Sequence, residues 1–158
     1  MFRDIRKVKN IISEDETKKL LKTCKRGALS VNGDDGYPYV LPINFYYEED
    51  ENRLYFHSGK SGYKIESVLK SNKVSFTVWD EGYLEEDDWA YFVKSAILFG
   101  KASLVKDEAL ALEKLRKFAY KYYPTQKEAD EEIELDFKAV QMIALDIEHL
   151  TGKKIHEK

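Results

Sequence analysis

Residues 54–78 read LYFHSGKSGYKIESVLKSNKVSFTV and join a strand pattern, a loop rich in glycine, serine and lysine, a helix pattern and a second strand pattern. Ile65 and Val68 have the spacing of a short amphipathic helix that begins after Gly62. Alternating residues over 73–79 predict the next strand. A loop of this composition between a strand and a helix suggests a seat for a phosphate, because the start of a helix exposes free backbone N–H groups.

Two well-known nucleotide loops are excluded here. Gly59-Lys60-Ser61 resembles the end of the triphosphate loop G-x-x-x-x-G-K-[ST], but the position of its first glycine is Leu54, inside a strand pattern. The dinucleotide pattern G-x-G-x-x-G is absent, and the chain shows no parallel strand-helix-strand order. Any phosphate bound here therefore belongs to another class of ligand.

The loop still has the chemistry of an anion site. Its glycines, serines and lysines are Ser58, Gly59, Lys60, Ser61, Gly62 and Lys64. Lys64 falls in the first helical turn, where the helix dipole disfavours a cation, and an anionic ligand would account for it. A solvated loop with exposed lysines accounts for the same residues, so composition alone leaves both interpretations open.

Composition restricts the class of protein. The 158 residues suit a single domain over 1–158, and 43% hydrophobic residues are enough for a packed core. A net charge of −3 disfavours nucleic acid and anionic membranes as partners. No run of 18 apolar residues predicts a membrane span, and the charged first ten residues lack the apolar core of a secretion signal. Cys24 is the only cysteine, which favours a reducing, cytoplasmic location.

The remaining patterns predict a mainly β fold. Strands are expected at 26–31, 38–47, 53–57, 73–79, 91–105 and 139–150. Helices begin at capping boxes opened by Ser13 and Thr125 and at a cap formed by Asp107. Pro42 implies an edge, a bulge or a gap in pairing, and Gly100 suggests a bulge. We expect an antiparallel sheet of six to seven strands, with peripheral helices, that closes into a barrel.

Four stretches in this order resemble one known family. They are DDGYPYVLPINFYY (34–47), the 54–78 segment, KSAILFGKASLV (94–105) and IEHLTGKK (147–154). They resemble the FMN-binding split-barrel proteins related to pyridoxamine 5′-phosphate oxidase, and in particular the nitroimidazole-reductase-like branch. The resemblance covers roughly residues 20 to 154. It implies a split β-barrel, FMN as cofactor, and a homodimer with FMN at the subunit interface.

The resemblance also assigns candidate cofactor contacts. The contacts under the flavin ring are Leu41, Pro42, Ile43 and Asn44. The contacts near the ribityl phosphate are His57, Ser58, Lys60, Ser61, Gly62 and Lys64. The contacts that reach the flavin elsewhere are Ser95, from the second subunit, and Thr151, Gly152 and Lys153. Lys64 would act as the phosphate's point charge. The family often has arginine before this lysine, but here the residue is Tyr63, so Lys60 is expected to replace that charge or binding is expected to be weaker.

A flavin carries the redox chemistry itself, so no catalytic pair is required from the chain. His57 is a candidate for facing cofactor or substrate, although a core histidine is an equal alternative. The three histidines lack the spacing of a zinc site, and no metal is expected. The favoured function is an FMN-dependent oxidoreductase that reduces nitro-aromatics or similar small electrophiles with a nicotinamide donor.

Alternative functions stay open at this point. A true pyridoxamine 5′-phosphate oxidase is less favoured, because the sequence shows no arginine-rich segment after its last strand. A non-catalytic flavin or haem module would make His149 or His156 a haem ligand. A deazaflavin could also occupy the same phosphate loop.

Overall fold

The computed structural model describes residues 1–158. The seven strands are β1 Arg26–Asn32, β2 Pro38–Asn44, β3 Tyr46–Glu48, β4 Arg53–Gly59, β5 Lys73–Trp79, β6 Phe92–Leu104 and β7 Val140–His156. The four α-helices are α1 Glu14–Thr23, α2 Tyr63–Lys70, α3 Glu108–Tyr122 and α4 Gln126–Asp136. All strand pairs are antiparallel, in the order β2-β1-β5-β6-β7-β4-β3. The expected mainly β fold with peripheral helices is confirmed.

The sheet curls because its two edge strands are neighbours in the chain. β2 and β3 stand at opposite ends of the strand order, but only Phe45 separates them. Two residue steps span at most about 7 Å, so Asn44 and Tyr46 bring the two edges together at this point. The edges are not hydrogen-bonded to each other, which makes the sheet a split barrel.

The end of α3 holds this seam together. The Tyr122 hydroxyl accepts the N–H of Phe45 at 3.0 Å and lies 2.6 Å from the Lys25 carbonyl oxygen. The Lys121 ammonium donates to the carbonyl oxygens of Cys24 at 2.6 Å and Phe45 at 3.2 Å. It also lies 4.1 Å from the centre of the Phe45 ring. Burial lowers the pKa of Lys121 to about 8. Backbone groups that the sheet leaves unpaired at the seam are thus satisfied by side chains.

We expect Tyr122→Phe to lower the free energy of unfolding by about 1–3 kcal/mol, because it leaves the N–H of the fully buried Phe45 without a partner. Urea unfolding followed by circular dichroism would measure the change. Tyr120→Phe is the control, since the Tyr120 hydroxyl bonds only the surface carboxylate of Asp130. Equal stability of the two variants would contradict the role given to Tyr122.

Two hydrophobic clusters lie on the two sides of the sheet. The inner cluster fills the curl and contains, among others, Leu21, Leu29, Phe45, Phe56, Ile65, Phe76, Leu98 and Ile143. The outer cluster packs α3 and α4 against β4 and β7 and includes Tyr55, Leu115, Ala119, Ile133 and Met142. α1 and α2 therefore contribute to the inner core, whereas α3 and α4 cover only one part of the outer surface.

Most local expectations are confirmed, but Thr125 caps α4 without the reciprocal bond of the predicted capping box, and two strand predictions are wrong. Ser13 and Glu16 form the capping box, and the sheet register shifts between Phe99 and Gly100 as a bulge requires. Pro42 lies on the edge strand β2. The expected strand 38–47 is instead two strands, since the chain crosses between edges at Phe45. The last strand does not end at residue 150, because β6 is long enough to pair with it as far as His156.

Candidate functional site

The start of α2, called the anion seat below, is a candidate site for an anionic ligand. β4 ends at Gly59, and the loop that follows enters α2 through Gly62, whose φ of 116° favours glycine. Gly62 is the N-cap residue, and no side chain caps the helix. The first N–H groups of α2 are therefore free to bind a ligand. The exposed side chains of Lys60 and Ser61 lie in the same loop.

Lys64 is the cation best placed to hold an anion at this seat. Its side chain is half-buried, and burial alone lowers the pKa of its ammonium group, so no carboxylate compensates the charge. His57 is exposed at the surface, but desolvation by the groups packed around its ring and, secondarily, the charge of Lys64 lower its pKa. The His57 ring packs edge-on against Phe118 with 4.8 Å between centroids. A bound phosphate would supply the counter-charge that Lys64 lacks.

Tyr63 stands where the resemblance predicts an arginine, and its side chain makes structural contacts. Its hydroxyl accepts the N–H of Asp34 at 2.6 Å, and its ring lies 4.6 Å from that of Tyr39. These contacts fasten the start of α2 to the β1–β2 turn. The chain thus has a fixed helix start but one fewer cation in the loop.

Strand β2 divides its four predicted flavin contacts between its two sides. Leu41 and Ile43 are half-buried and pack against the inner cluster. Pro42 is exposed on the other side. The Asn44 amide nitrogen donates one hydrogen bond to the Lys25 carbonyl oxygen at 2.8 Å, which leaves its second N–H and its oxygen available. A ligand that contacts all four residues has to lie along the free edge of the sheet.

Three of the other predicted contacts, Ser95, Thr151 and Lys153, lie on the outer side of the sheet. Across the strands, Pro42 pairs with Ala28, Ile97 with Thr151, and Ser95 with Lys153. We call this surface the open face; it comprises Ala28, Ser30, Val40, Pro42, Ser75, Thr77, Trp79, Ser95, Ile97, Phe99, His149, Thr151 and Lys153. None of these residues belongs to either buried cluster. Its exposed apolar side chains include Val40 (57%), Trp79 (56%), Ile97 (39%) and Phe99 (40%).

The predicted site residues thus form two groups in one chain. The inner side of β2 packs against the inner cluster and the phosphate loop joins β4 to α2, whereas Ser95, Thr151 and Lys153 lie on the open face and line a cavity of about 370 Å³. No loop residue lines that cavity. Gly152 is buried beneath α1, where an added Cβ would collide with the Thr17 hydroxyl.

The structure adds members of this cavity that the sequence analysis did not identify. Arg6, Lys7 and Asn10 approach it from the segment that precedes α1. The only sequence signal for them is the basic run RDIRKVK at residues 3–9, which has neither helical nor strand periodicity.

The two histidines considered as haem ligands already have partners within the chain. His149 stacks on Phe2 with 4.8 Å between ring centroids. His156 stacks on Phe92 at 4.1 Å, and its Nε2 lies 2.9 Å from Asp88. No group of three or more His, Cys, Asp or Glu side chains is arranged to hold a metal ion. No helix of the chain combines the length and the apolar character needed to cross a membrane.

The curled antiparallel sheet with unpaired edge strands defines a split-barrel protein. This chain belongs to the pyridoxamine 5′-phosphate oxidase family, whose model matches residues 13–154. No curated protein matches the chain.

Solved structures agree with this assignment of the fold. A protein from Bacteroides thetaiotaomicron, described as a candidate 5-nitroimidazole antibiotic resistance protein, is similar with a TM-score of 0.76 and 23% identity, over 93% of this chain and 87% of that chain. A FAD-binding protein from Mesorhizobium loti is similar with a TM-score of 0.65 and 22% identity, over 91% of this chain and 96% of that chain. A flavocytochrome from Azotobacter vinelandii is similar with a TM-score of 0.70 and 25% identity, over 89% of this chain and 66% of that chain.

Proposed function

We propose that this protein binds FMN and is an oxidoreductase that reduces small electrophiles, such as nitro-aromatics, with electrons from a nicotinamide donor. The active form in this proposal is a homodimer with FMN between the two copies. FMN supplies the electron and hydride chemistry, and the chain binds and orients it.

The environment of Lys64 is the main observation that supports this proposal. It is a half-buried cation without a carboxylate partner, beside a helix start that no side chain caps. Both features are stabilised by one phosphate group, through charge and through hydrogen bonds to free N–H groups. The phosphate of FMN has the charge and size for this seat.

The division of the predicted contacts supports a dimer. Leu41 packs against the inner cluster and the phosphate loop joins β4 to α2, whereas Ser95 and Lys153 lie on the open face of the same chain. A second copy can bring its open face to the split of the first and complete one flavin site. Burial of the exposed apolar side chains of the open face would also favour such an association.

The choice of substrate class rests on similarity. Among the related structures are proteins described as FAD-binding and one described as a candidate for 5-nitroimidazole resistance. We extend flavin binding and nitro reduction to this chain as part of the proposal.

The first experiment is a visible absorption spectrum of the purified protein, followed by mass spectrometry of the released cofactor. We expect flavin bands and the mass of FMN. NADH oxidation that depends on an added 5-nitroimidazole would then test turnover. A Soret band, a deazaflavin mass, or a colourless protein that takes up no FMN would overturn the cofactor assignment.

Ser95→Trp tests the position of the open face in the dimer. Ser95 is half-buried in the row that pairs with Lys153, and an indole there would obstruct both a flavin and a second copy. We expect loss of bound FMN and a shift from dimer to monomer in analytical ultracentrifugation. Ser103→Trp, at an exposed position on the same strand, is the matched control and should remain a yellow dimer. The same behaviour from Ser95→Trp would contradict the placement.

A further inference from the structure

The segment before α1 lies across part of the open face. We call residues 1–11 the N-terminal arm. Phe2 stacks on His149, with 4.8 Å between ring centroids, and on Phe99 at 5.6 Å. At the other end Ile11 forms a β-bridge with Lys153. The arm is therefore attached to β6 and β7 at both ends, which holds its middle residues over the strands.

The middle of the arm, together with β6 and β7, lines the cavity of about 370 Å³, which is partly open to solvent. The residues that line the cavity are Ile5, Arg6, Lys7, Asn10, Ser95, Ile97, Thr151, Lys153 and Ile155. They include three cations and no carboxylate. None of the ion pairs in the structure involves Arg6, Lys7 or Lys153, so all three cations are free to pair with a ligand; Arg6 and Lys7 are exposed to solvent and Lys153 is half-buried.

Two polar side chains of the cavity are also free to donate hydrogen bonds, whereas the one hydroxyl proton of Thr151 is already donated within the chain. The side chains of Ser95 and Lys153 are half-buried, and neither makes a hydrogen bond within the chain. The Thr151 hydroxyl contacts only the Ile97 carbonyl oxygen, at 3.3 Å. A guanidinium, two ammonium groups and the Ser95 hydroxyl around one cavity match an oxyanion, which accepts several charge-assisted hydrogen bonds.

We propose that the N-terminal arm completes a binding site for a small substrate that carries an oxyanion, either a carboxylate or a phosphate group, on an apolar body. Arg6, Lys7 and Lys153 contact the oxyanion, and Ile5, Ile97 and Ile155 contact the apolar part. This inference rests on the proposed function, because Ser95, Thr151 and Lys153 are also the residues expected to reach the flavin. It assigns substrate selection to the arm and flavin binding to the phosphate loop.

The test is isothermal titration calorimetry of the purified protein with benzoate, phenyl phosphate and the uncharged benzyl alcohol. We expect both anions to bind, and benzyl alcohol to bind at least about tenfold more weakly. The double variant Arg6→Ala/Lys7→Ala should weaken the binding of the anions by at least about tenfold, because it removes two of the three cations. The anion that loses more affinity identifies the preferred oxyanion.

Arg3→Ala/Lys9→Ala is the matched control. It removes the same charge from the same arm, but neither residue lines the cavity. We expect wild-type anion affinity from this control. Equal losses in the two double variants, or equal affinity of wild type for benzyl alcohol and benzoate, would overturn the proposal.

The flavin content of each sample separates this inference from the proposed function. Arg6→Ala/Lys7→Ala should keep the wild-type flavin spectrum while its anion affinity falls. A wild-type protein that binds the anions through Arg6 and Lys7 but contains no flavin would refute the proposed function and leave the arm site standing. A flavin-loaded protein that binds neither anion would refute the arm site alone.

Discussion

Replacement of Lys64 by alanine is expected to weaken FMN binding by about 1.5–3 kcal/mol, which is roughly ten- to hundredfold in dissociation constant. The ammonium group of Lys64 is half-buried without a carboxylate partner, so a bound phosphate would be its main counter-charge. The remaining affinity would come from the free N–H groups at the start of α2. Fluorescence quenching of FMN on titration with apoprotein would measure the change.

Two lysines provide controls for this result. Lys70 lies at the other end of α2 and pairs with Asp34, so Lys70→Ala should leave FMN affinity unchanged. Lys60 is exposed in the loop, and Lys60→Ala reports whether it replaces the arginine that the family often has at the position of Tyr63. Wild-type FMN affinity in the Lys64→Ala variant would contradict the assignment of the FMN phosphate to this loop.

The predicted and the unexpected parts of the structure differ in the range of the interactions that determine them. The capping box of Ser13 and Glu16 involves residues three apart, and the bulge follows from Gly100 in a long apolar strand. Such local signals were sufficient for most strands and helices. The break at Phe45 depends instead on which edges of the sheet meet, and no residue near Phe45 encodes that meeting by itself.

The same distinction applies to the candidate site. Ser95 and Lys153 could be assigned to one surface only through resemblance, because β6 and β7 are far apart in the sequence and their register is set by pairing. The strand period of two then places Ile97 and Thr151 beside them. Arg6 and Lys7 could not be identified, because the arm has neither helical nor strand periodicity and its position depends on Phe2 stacking over β6 and β7.

A second large effect on stability is expected at Lys114, a buried lysine that attaches α3 to the sheet. Lys114 is 2% exposed, and its ammonium group lies 3.0 Å from the Glu48 carboxylate and also contacts Glu51. Burial opposes the charged form, but the two carboxylates outweigh it and raise the pKa of Lys114. These two ion pairs of Lys114 hold α3 against the end of β3 and the turn between β3 and β4. α3 in turn carries Phe118, which packs against His57, and Tyr122 at the seam.

We expect Lys114→Ala to lower the free energy of unfolding by about 3–5 kcal/mol, because Glu48 would stay largely buried with less of its charge compensated. Lys114→Met should cost less, since it keeps most of the packing volume. Lys117→Ala is the control: Lys117 binds the same Glu48 at 2.7 Å but is exposed, and we expect a loss of at most about 1 kcal/mol. Equal losses from Lys114→Ala and Lys117→Ala in urea unfolding would contradict this account.

The pH dependence of stability provides an independent test of the same cluster. Burial raises the pKa of Glu48, but hydrogen bonds from Lys117 and Lys114 outweigh it and bring the pKa below the ordinary value of 4.5. The pKa of Glu51 is lowered in the same way, because hydrogen bonds from Lys114 and Tyr55 outweigh the effect of burial. The unfolded chain therefore binds more protons than the folded chain below about pH 4.5, and stability falls as pH decreases through the lowered pKa values. Lys114→Met removes a cause of both shifts, so its stability should decline less steeply in this acid range than that of wild type. If the two slopes are the same, the ion pairs of Lys114 do not contribute to stability, and the hold of α3 on the seam must come from its apolar face alone.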